Sequence, residues 1–206
     1  MMKALLDSET GNFPEAIQRL EIGHLEHPHD HYLLKALGDV YGTMGDWRTA
    51  LSTYKKAFQL DHLGLSNLHM SIGEAYYNLD DFSSAITELK FGLENSPGYP
   101  KGRWFLARCY HKTGRLHEAF NEYKILLNSY QGEMLAITHN MIADLYRTKG
   151  QVDDAIIELK KGLAISPNMG EAHDWLGKCY EEKGLMDEAK SEYQIAKKLG
   201  YNESET

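Results

Sequence analysis

The sequence predicts an all-α fold, an array of antiparallel helix hairpins, and three observations carry that expectation. A 13-residue pattern occurs six times, at 11–23, 45–57, 80–92, 114–126, 150–162 and 184–196, with spacings of 34, 35, 34, 36 and 34 residues. Periods of this length mark arrays of one supersecondary unit. A second segment, such as LLKALGDVY at 33–41 and AHDWLGKCY at 172–180, precedes each of the last five copies. Both segments set apolar or small residues at helical spacing, Leu34, Leu37, Gly38 and Tyr41 in the first and Ala50, Tyr54 and Ala57 in the second.

Taken in order, the units are a partial copy over about 1–30, five full copies over 31–65, 66–99, 100–135, 136–169 and 170–203, and a polar tail at 204–206, read as one array across 1–206. In the partial copy Ala4 falls in the Gly38 column, so half of its first helix is missing. The expectation is that the native chain extends upstream or that something else covers that end. Within each full copy the turn is supplied by Gly45-Asp46, Asp80-Asp81, Gly114-Arg115 or Gly150-Gln151. Pro28, Pro97 and Pro167 stand just past a second helix, where the helix must stop. The last copy differs. Its second helix carries Lys190 and Lys197 in columns that earlier copies fill with Ile17, Leu51, Ile86, Phe120 and Ile156, and with His24, Phe58, Leu93, Leu127 and Leu163. A cationic outer face is what a terminal cap requires.

The tract HLEHPHDH at 24–31 resembles a metal site by composition. Its register makes it the link between two hairpins, with His24 ending a helix and His29 and His31 in the turn. No cysteine lies near it to complete a zinc site, so we read a solvated turn and no metal. His69, Arg103, His139 and His173 share one column at the start of the first helix and are read as edge-packing residues. Cys109 and Cys179 share a column two copies apart. With neighbouring helices about 8–10 Å apart they fall roughly 20 Å from each other, too far for a disulfide, and both are expected to be buried thiols.

Composition excludes several function classes. Thirty acids against twenty-two bases give a net charge of −8, which argues against nucleic acid as a partner, since a phosphate backbone calls for clustered Lys and Arg. No apolar run is long enough for a signal peptide or membrane span, which leads to the expectation of a cytoplasmic protein without membrane insertion. The chain has no G-x-x-x-x-G-K, C-x-x-C, H-E-x-x-H or G-x-S-x-G. No cofactor and no catalytic residues are expected, and the chain is read as a non-enzyme.

The run L-x-x-L-G-x-x-Y followed by A-x-x-x-Y, in Leu34, Leu37, Gly38, Tyr41, Ala50 and Tyr54, returns as Leu106, Ala107, Tyr110, Ala119 and Tyr123, and again as Leu176, Gly177, Tyr180, Ala189 and Tyr193. In these residues the chain resembles the tetratricopeptide repeat family over nearly its whole length. The resemblance implies a right-handed superhelical solenoid whose concave groove binds extended or helical peptides of partner proteins.

It also implies that the stripe Tyr32, Lys35, Asp39 and Gly42 of the first helix, with its equivalents, lines that groove. The fourth copy stands out there with Lys101, Trp104, Arg108 and His111, with Tyr77 and Asn140 on the neighbouring copies. Trp and Arg dominate interface energetics, so these six residues are the candidate partner-binding site. One type of the family grips a terminal carboxylate with Lys and Asn on one helix, Asn on the next, and Lys and Arg on the third. Lys35 and Lys101 match that pattern, but Asp39, Ser71 and Phe105 stand where Asn, Asn and Arg are required, and the clamp is rejected. The reading is a non-enzymatic protein-interaction scaffold. A self-assembling homo-oligomeric array and a regulatory module of a longer enzyme are the alternatives.

Overall fold

The computed structural model describes residues 11–60 and 66–201. The half-hairpin expected around Ala4 and the polar tail lie outside the described residues. Eleven helices are described: α1 Phe13–Glu26, α2 His31–Thr43, α3 Trp47–Leu60, α4 Ser66–Asn78, α5 Phe82–Asn95, α6 Pro100–Lys112, α7 Leu116–Leu126, α8 Gly132–Thr148, α9 Val152–Ile165, α10 Gly170–Glu182 and α11 Met186–Lys198. The fold is all-α, as the repeat pattern predicts.

Local chemistry sets the helix ends. The Asp30, Asp46 and Asp81 carboxylates accept backbone N–H bonds from Tyr32, Thr49 and Ser84, at 2.9, 3.1 and 3.1 Å, satisfying donors that the first turn leaves orphaned. A glycine at positive φ stands at the turn of four copies, Gly45 at 82°, Gly114 at 73°, Gly150 at 73° and Gly184 at 75°. Asp80, at φ 59°, does the same job in the third copy, at the modest cost that Asp tolerates in the left-handed region. One boundary departs from expectation. Helix α8 opens at Gly132, four residues before the expected start of its copy at 136. The links at Pro28, Pro97 and Pro167 each hold a helix-stopping proline, whereas the links before α4 and α8 hold none.

The helices form two compact units, one ending at Gly114 and the other beginning at Arg115. In the first unit each helix packs on its successor from α1 to α6, and the first helices of successive hairpins, α2 with α4 and α4 with α6, also touch. Leu34, Ala50, Tyr54, Ala57, Leu68, Ile72 and Ala75 make its central core, and Ala16, Leu20, Leu33, Leu37 and Val40 a second cluster beneath α1. In the second unit Ala143, Ala155, Leu159, Ala172, Leu176 and Cys179 pack between α8, α9 and α10. The repeated Gly and Tyr columns have one steric cause. A Cβ on Gly38 would lie 2.5 Å from the Tyr54 ring, and one on Gly177 would lie 2.6 Å from the Tyr193 ring.

The histidine column does more than pack an edge. His69, His139 and His173 each place Nδ1 within 2.7, 2.7 and 2.6 Å of Oε2 of Glu88, Glu158 and Glu192, always 19 residues on. Each pair ties the first helix of a hairpin to the second. Arg103 and Glu122 hold the same two positions in the fourth copy, and Arg103 donates to the Pro97 carbonyl at 2.9 Å. Cys109 and Cys179 are fully buried. Burial pushes their thiols up to about 12 and about 11, which leaves them protonated and unreactive at neutral pH. Among the described residues, no helix is long and apolar enough to cross a membrane.

Candidate functional site

Where α2, α4 and α6 lie side by side in the first unit, they leave a cleft of about 430 Å³. Small residues create it: Gly42 on α2 lies against the Trp47 ring, and Gly102 on α6 admits the Met70 side chain. Trp47, Tyr54, Met70, Tyr99 and Phe105 give the cleft an aromatic and thioether lining, and Lys35, Asp39, Glu74 and Lys101 supply its charge. These charges are already matched. Lys35 Nζ bonds Asp39 Oδ2 at 2.8 Å, Tyr54 donates its hydroxyl to Asp39 Oδ1 at 2.9 Å, and Lys101 Nζ lies 2.7 Å from Glu74 Oε2. Burial, then the adjoining Asp39 charge, raises the Tyr54 phenol well above its ordinary range, so it stays a donor. The cleft occupies the positions compared above with the carboxylate clamp, yet its two lysines each face a carboxylate of the chain itself.

Beyond Phe105 the character changes. The Phe105 ring meets Trp104 edge-on at 4.9 Å and Tyr77 at 5.2 Å. The Arg108 guanidinium lies 4.5 Å from the Trp104 ring centre and 5.2 Å from that of Tyr77, within the range of a cation–π contact on both sides. Arg108 makes no ion pair among the described residues. Burial raises the Tyr77 phenol above its usual value while the Arg108 charge pulls the other way. Trp104 is half-buried, and its indole Nε1 is buried without an acceptor.

Of the six candidate residues, Tyr77, Trp104 and Arg108 therefore gather into one cluster. Lys101 joins them through the Phe105 ring, 5.8 Å from its Nζ, and His111 is half-buried one turn along α6 from Arg108. Asn140 is different. It belongs to the second unit, is 1% exposed, and directs its amide toward Met169 Sδ at 3.9 Å. Its register matched the groove stripe, but its side chain fills the space left by Gly162, whose Cβ would lie 2.7 Å from Asn140 Oδ1. Met70 and Glu74 fall on the groove stripe that the sequence marks, whereas sequence reasoning missed the contributions of Phe105 and Tyr99. The signal was available in Gly42 and Gly102, which remove side chains from the first helices where a cleft then opens.

Tetratricopeptide repeat family models match residues 33–63, 70–132, 136–169 and 170–202. Among curated proteins, the chain is 32% identical over 100 residues to Protein PHOX1 of Arabidopsis thaliana, covering 46% of this chain and 13% of that protein. It is 22% identical over 179 residues to Protein O-mannosyl-transferase TMTC1 of Homo sapiens, covering 85% and 20%. The chain thus spans a fifth or less of the length of these relatives. Among solved structures it is similar to the Cut9 and Hcn1 hetero-tetramer of the APC/C, with TM-score 0.77, 18% identity and coverage of 92% of this chain and 37% of that one. It is likewise similar to BtubC from P. vanneervenii (TM-score 0.74, 18% identity, 92% and 88% covered) and to MamA (0.69, 23%, 80% and 94%). At these identities the structures share the fold.

Proposed function

Because the chain belongs to the tetratricopeptide repeat family, whose fold serves as a protein-interaction scaffold, we propose that it binds a segment of a partner protein in the cleft formed by α2, α4 and α6. The observation that carries this is the cleft itself. Its lining combines buried aromatic and thioether surface with a few fixed polar groups, the composition of a site that takes a side chain and orients it, and it runs through Phe105 to the Arg108 cluster. We take residues 1–206 as one repeat array and the chain as a non-enzymatic binder that needs no cofactor. Selection of a random dodecapeptide display library on the purified chain tests the reading. Enriched peptides should lose binding to Phe105→Ala and Trp104→Ala and keep it to Lys190→Gln on α11. Peptides indifferent to both cleft substitutions would refute it.

A second reading, a repeat module within a longer protein, rests on the small share of PHOX1 and TMTC1 that the chain covers. Immunoblotting of the native protein against the 23.5 kDa chain separates the two.

A further inference from the structure

Three cations on the groove stripe of α2 and α6, Lys35, Lys101 and Arg108, are not equivalent. Lys35 is paired with Asp39 and Lys101 with Glu74, at 2.8 and 2.7 Å. Arg108 has no carboxylate among the described residues, and it is held instead between two aromatic faces at 4.5 and 5.2 Å. Stacking of that kind fixes the guanidinium plane, and beyond the bond it shares with the Tyr77 hydroxyl it leaves N–H edges for an acceptor in that plane. Beside it, Trp104 Nε1 is a second donor that no acceptor of the described chain satisfies, and a buried donor in that state is destabilising until something bonds it.

We infer that Arg108 and Trp104 Nε1 form the seat for an anionic side chain, carboxylate or phosphoryl, carried by the peptide segment that occupies the neighbouring cleft. This rests on the cleft reading above and adds its chemistry. The anion goes to Arg108 because that cation alone of the three is not already neutralised by the chain. Phe105, which contacts Trp104 and also lines the cleft, makes the seat and the cleft continuous, so the segment places an apolar side chain in the cleft and its anion a few residues away. Glu74 beside Lys101 limits the design to a short anionic feature, since an acidic run crossing the cleft would meet both Asp39 and Glu74.

The test uses peptides enriched from the dodecapeptide library, resynthesised with each acidic residue replaced in turn by its amide. On the unaltered chain one replacement should weaken binding about tenfold, the scale of a charge-assisted bond. On Arg108→Gln the same replacement should change binding less than about twofold, because the partner charge is gone. Arg108→Lys should restore part of the coupling, and Trp104→Phe, which keeps a ring but not the N–H, should reduce it. Phosphoserine at the critical position, if it binds tighter and only when Arg108 is present, identifies the anion as phosphoryl. Peptides that need Phe105 but show no coupling between an acidic residue and Arg108 would overturn the inference and leave the cleft reading standing. Peptides insensitive to every cleft substitution would overturn both. Unchanged melting temperature in each variant excludes a folding effect.

Discussion

Trp104 and Asn140 stand at the same position of the fourth and fifth copies, and the two units treat them oppositely. In the first unit the position carries a half-buried ring under an unpaired arginine. In the second it carries an amide that is 1% exposed. On the rest of that stripe the charges pair within the unit, Lys178 with Asp174 at 2.9 Å and Arg147 with Glu182 at 3.4 Å. A shared register therefore sets which helix face a residue occupies. The residue opposite decides whether the side chain meets solvent. Gly162 leaves a hole that Asn140 fills, and the fourth copy has Leu126 in that column.

The largest effect expected from this contrast is on binding. Trp104→Ala should weaken a cleft-binding peptide by about 2 kcal/mol, the scale of a central interface aromatic, with little change in stability. Asn140→Ala should leave peptide binding unchanged and lower stability instead, by about 1 kcal/mol, the centre of the range for single substitutions. Titration calorimetry on both variants, with urea unfolding in parallel, breaks the comparison if Asn140→Ala impairs binding as much as Trp104→Ala.

A smaller effect separates the glycines. A Cβ at Gly162 meets the Ala136 carbonyl oxygen at 3.0 Å and Asn140 Oδ1 at 2.7 Å, and backbone does not yield. Gly162→Ala should cost about 1–2 kcal/mol even after the gain in helix propensity. At Gly102 the new Cβ meets the Met70 thioether, which is flexible and re-packs at low cost. Gly102→Ala should stay within about 0.5 kcal/mol in stability yet alter peptide binding, because Met70 is displaced into the cleft. Equal urea midpoints for the two variants would show that the first unit is as tightly packed as the second.

These cases define how much the sequence could reveal. The hairpins, their turns and the family were legible because spacing and composition repeat six times, and each copy corrects the reading of the others. The start of α8 was missed because residues 132–135 lie outside the repeated pattern. The His–Glu pairs were missed because the histidines were read as edge packing without the glutamates 19 residues on, although that offset is constant. The candidate site was partly legible. Trp104 and Arg108 announce themselves by type, whereas Phe105 was noticed only as a mismatch to a clamp and proved to join the cleft to the arginine. Asn140 was misplaced because burial depends on the volume of the facing residue, which helical periodicity does not report.

Helix caps give the two units different acid sensitivity. Asp46 and Asp81 in the first unit accept hydrogen bonds from Thr49 and Ser84 that hold their carboxyls below the usual range. Arg115, Gln151 and Leu185, at the corresponding ends in the second unit, form no such side-chain bond. A carboxyl whose folded value is depressed contributes stability that is present above its unfolded value, near pH 4, and is lost as pH falls through the folded value. Amide exchange in α5 should therefore accelerate below that range more than exchange in α9. Asp81→Ala should remove the difference at a cost of about 1 kcal/mol at neutral pH. Parallel acid profiles for the two helices would mean that the caps are not the cause.

The smallest effect is expected at the outer face of α11, where Lys190 and Lys197 are exposed beside Met186, Ala189 and Tyr193. Inner copies fill the same two columns with apolar residues that receive the next hairpin, and Ile156 and Leu93 there are 8% and 7% exposed. Lys190→Leu with Lys197→Leu restores that pattern on the last described helix. It joins Met186, already 60% exposed, in one apolar patch of the kind that soluble monomers avoid. Because only two side chains change and association costs translational and rotational freedom, the new contact should be weak, invisible at micromolar concentration and evident only as the chain is concentrated. Light scattering across a concentration series should show a mass that rises for the double variant and stays flat for the parent. A flat profile for both would mean that the lysines do not act as a cap. A rising profile for the parent would favour self-assembly and move the search for its interface away from this face.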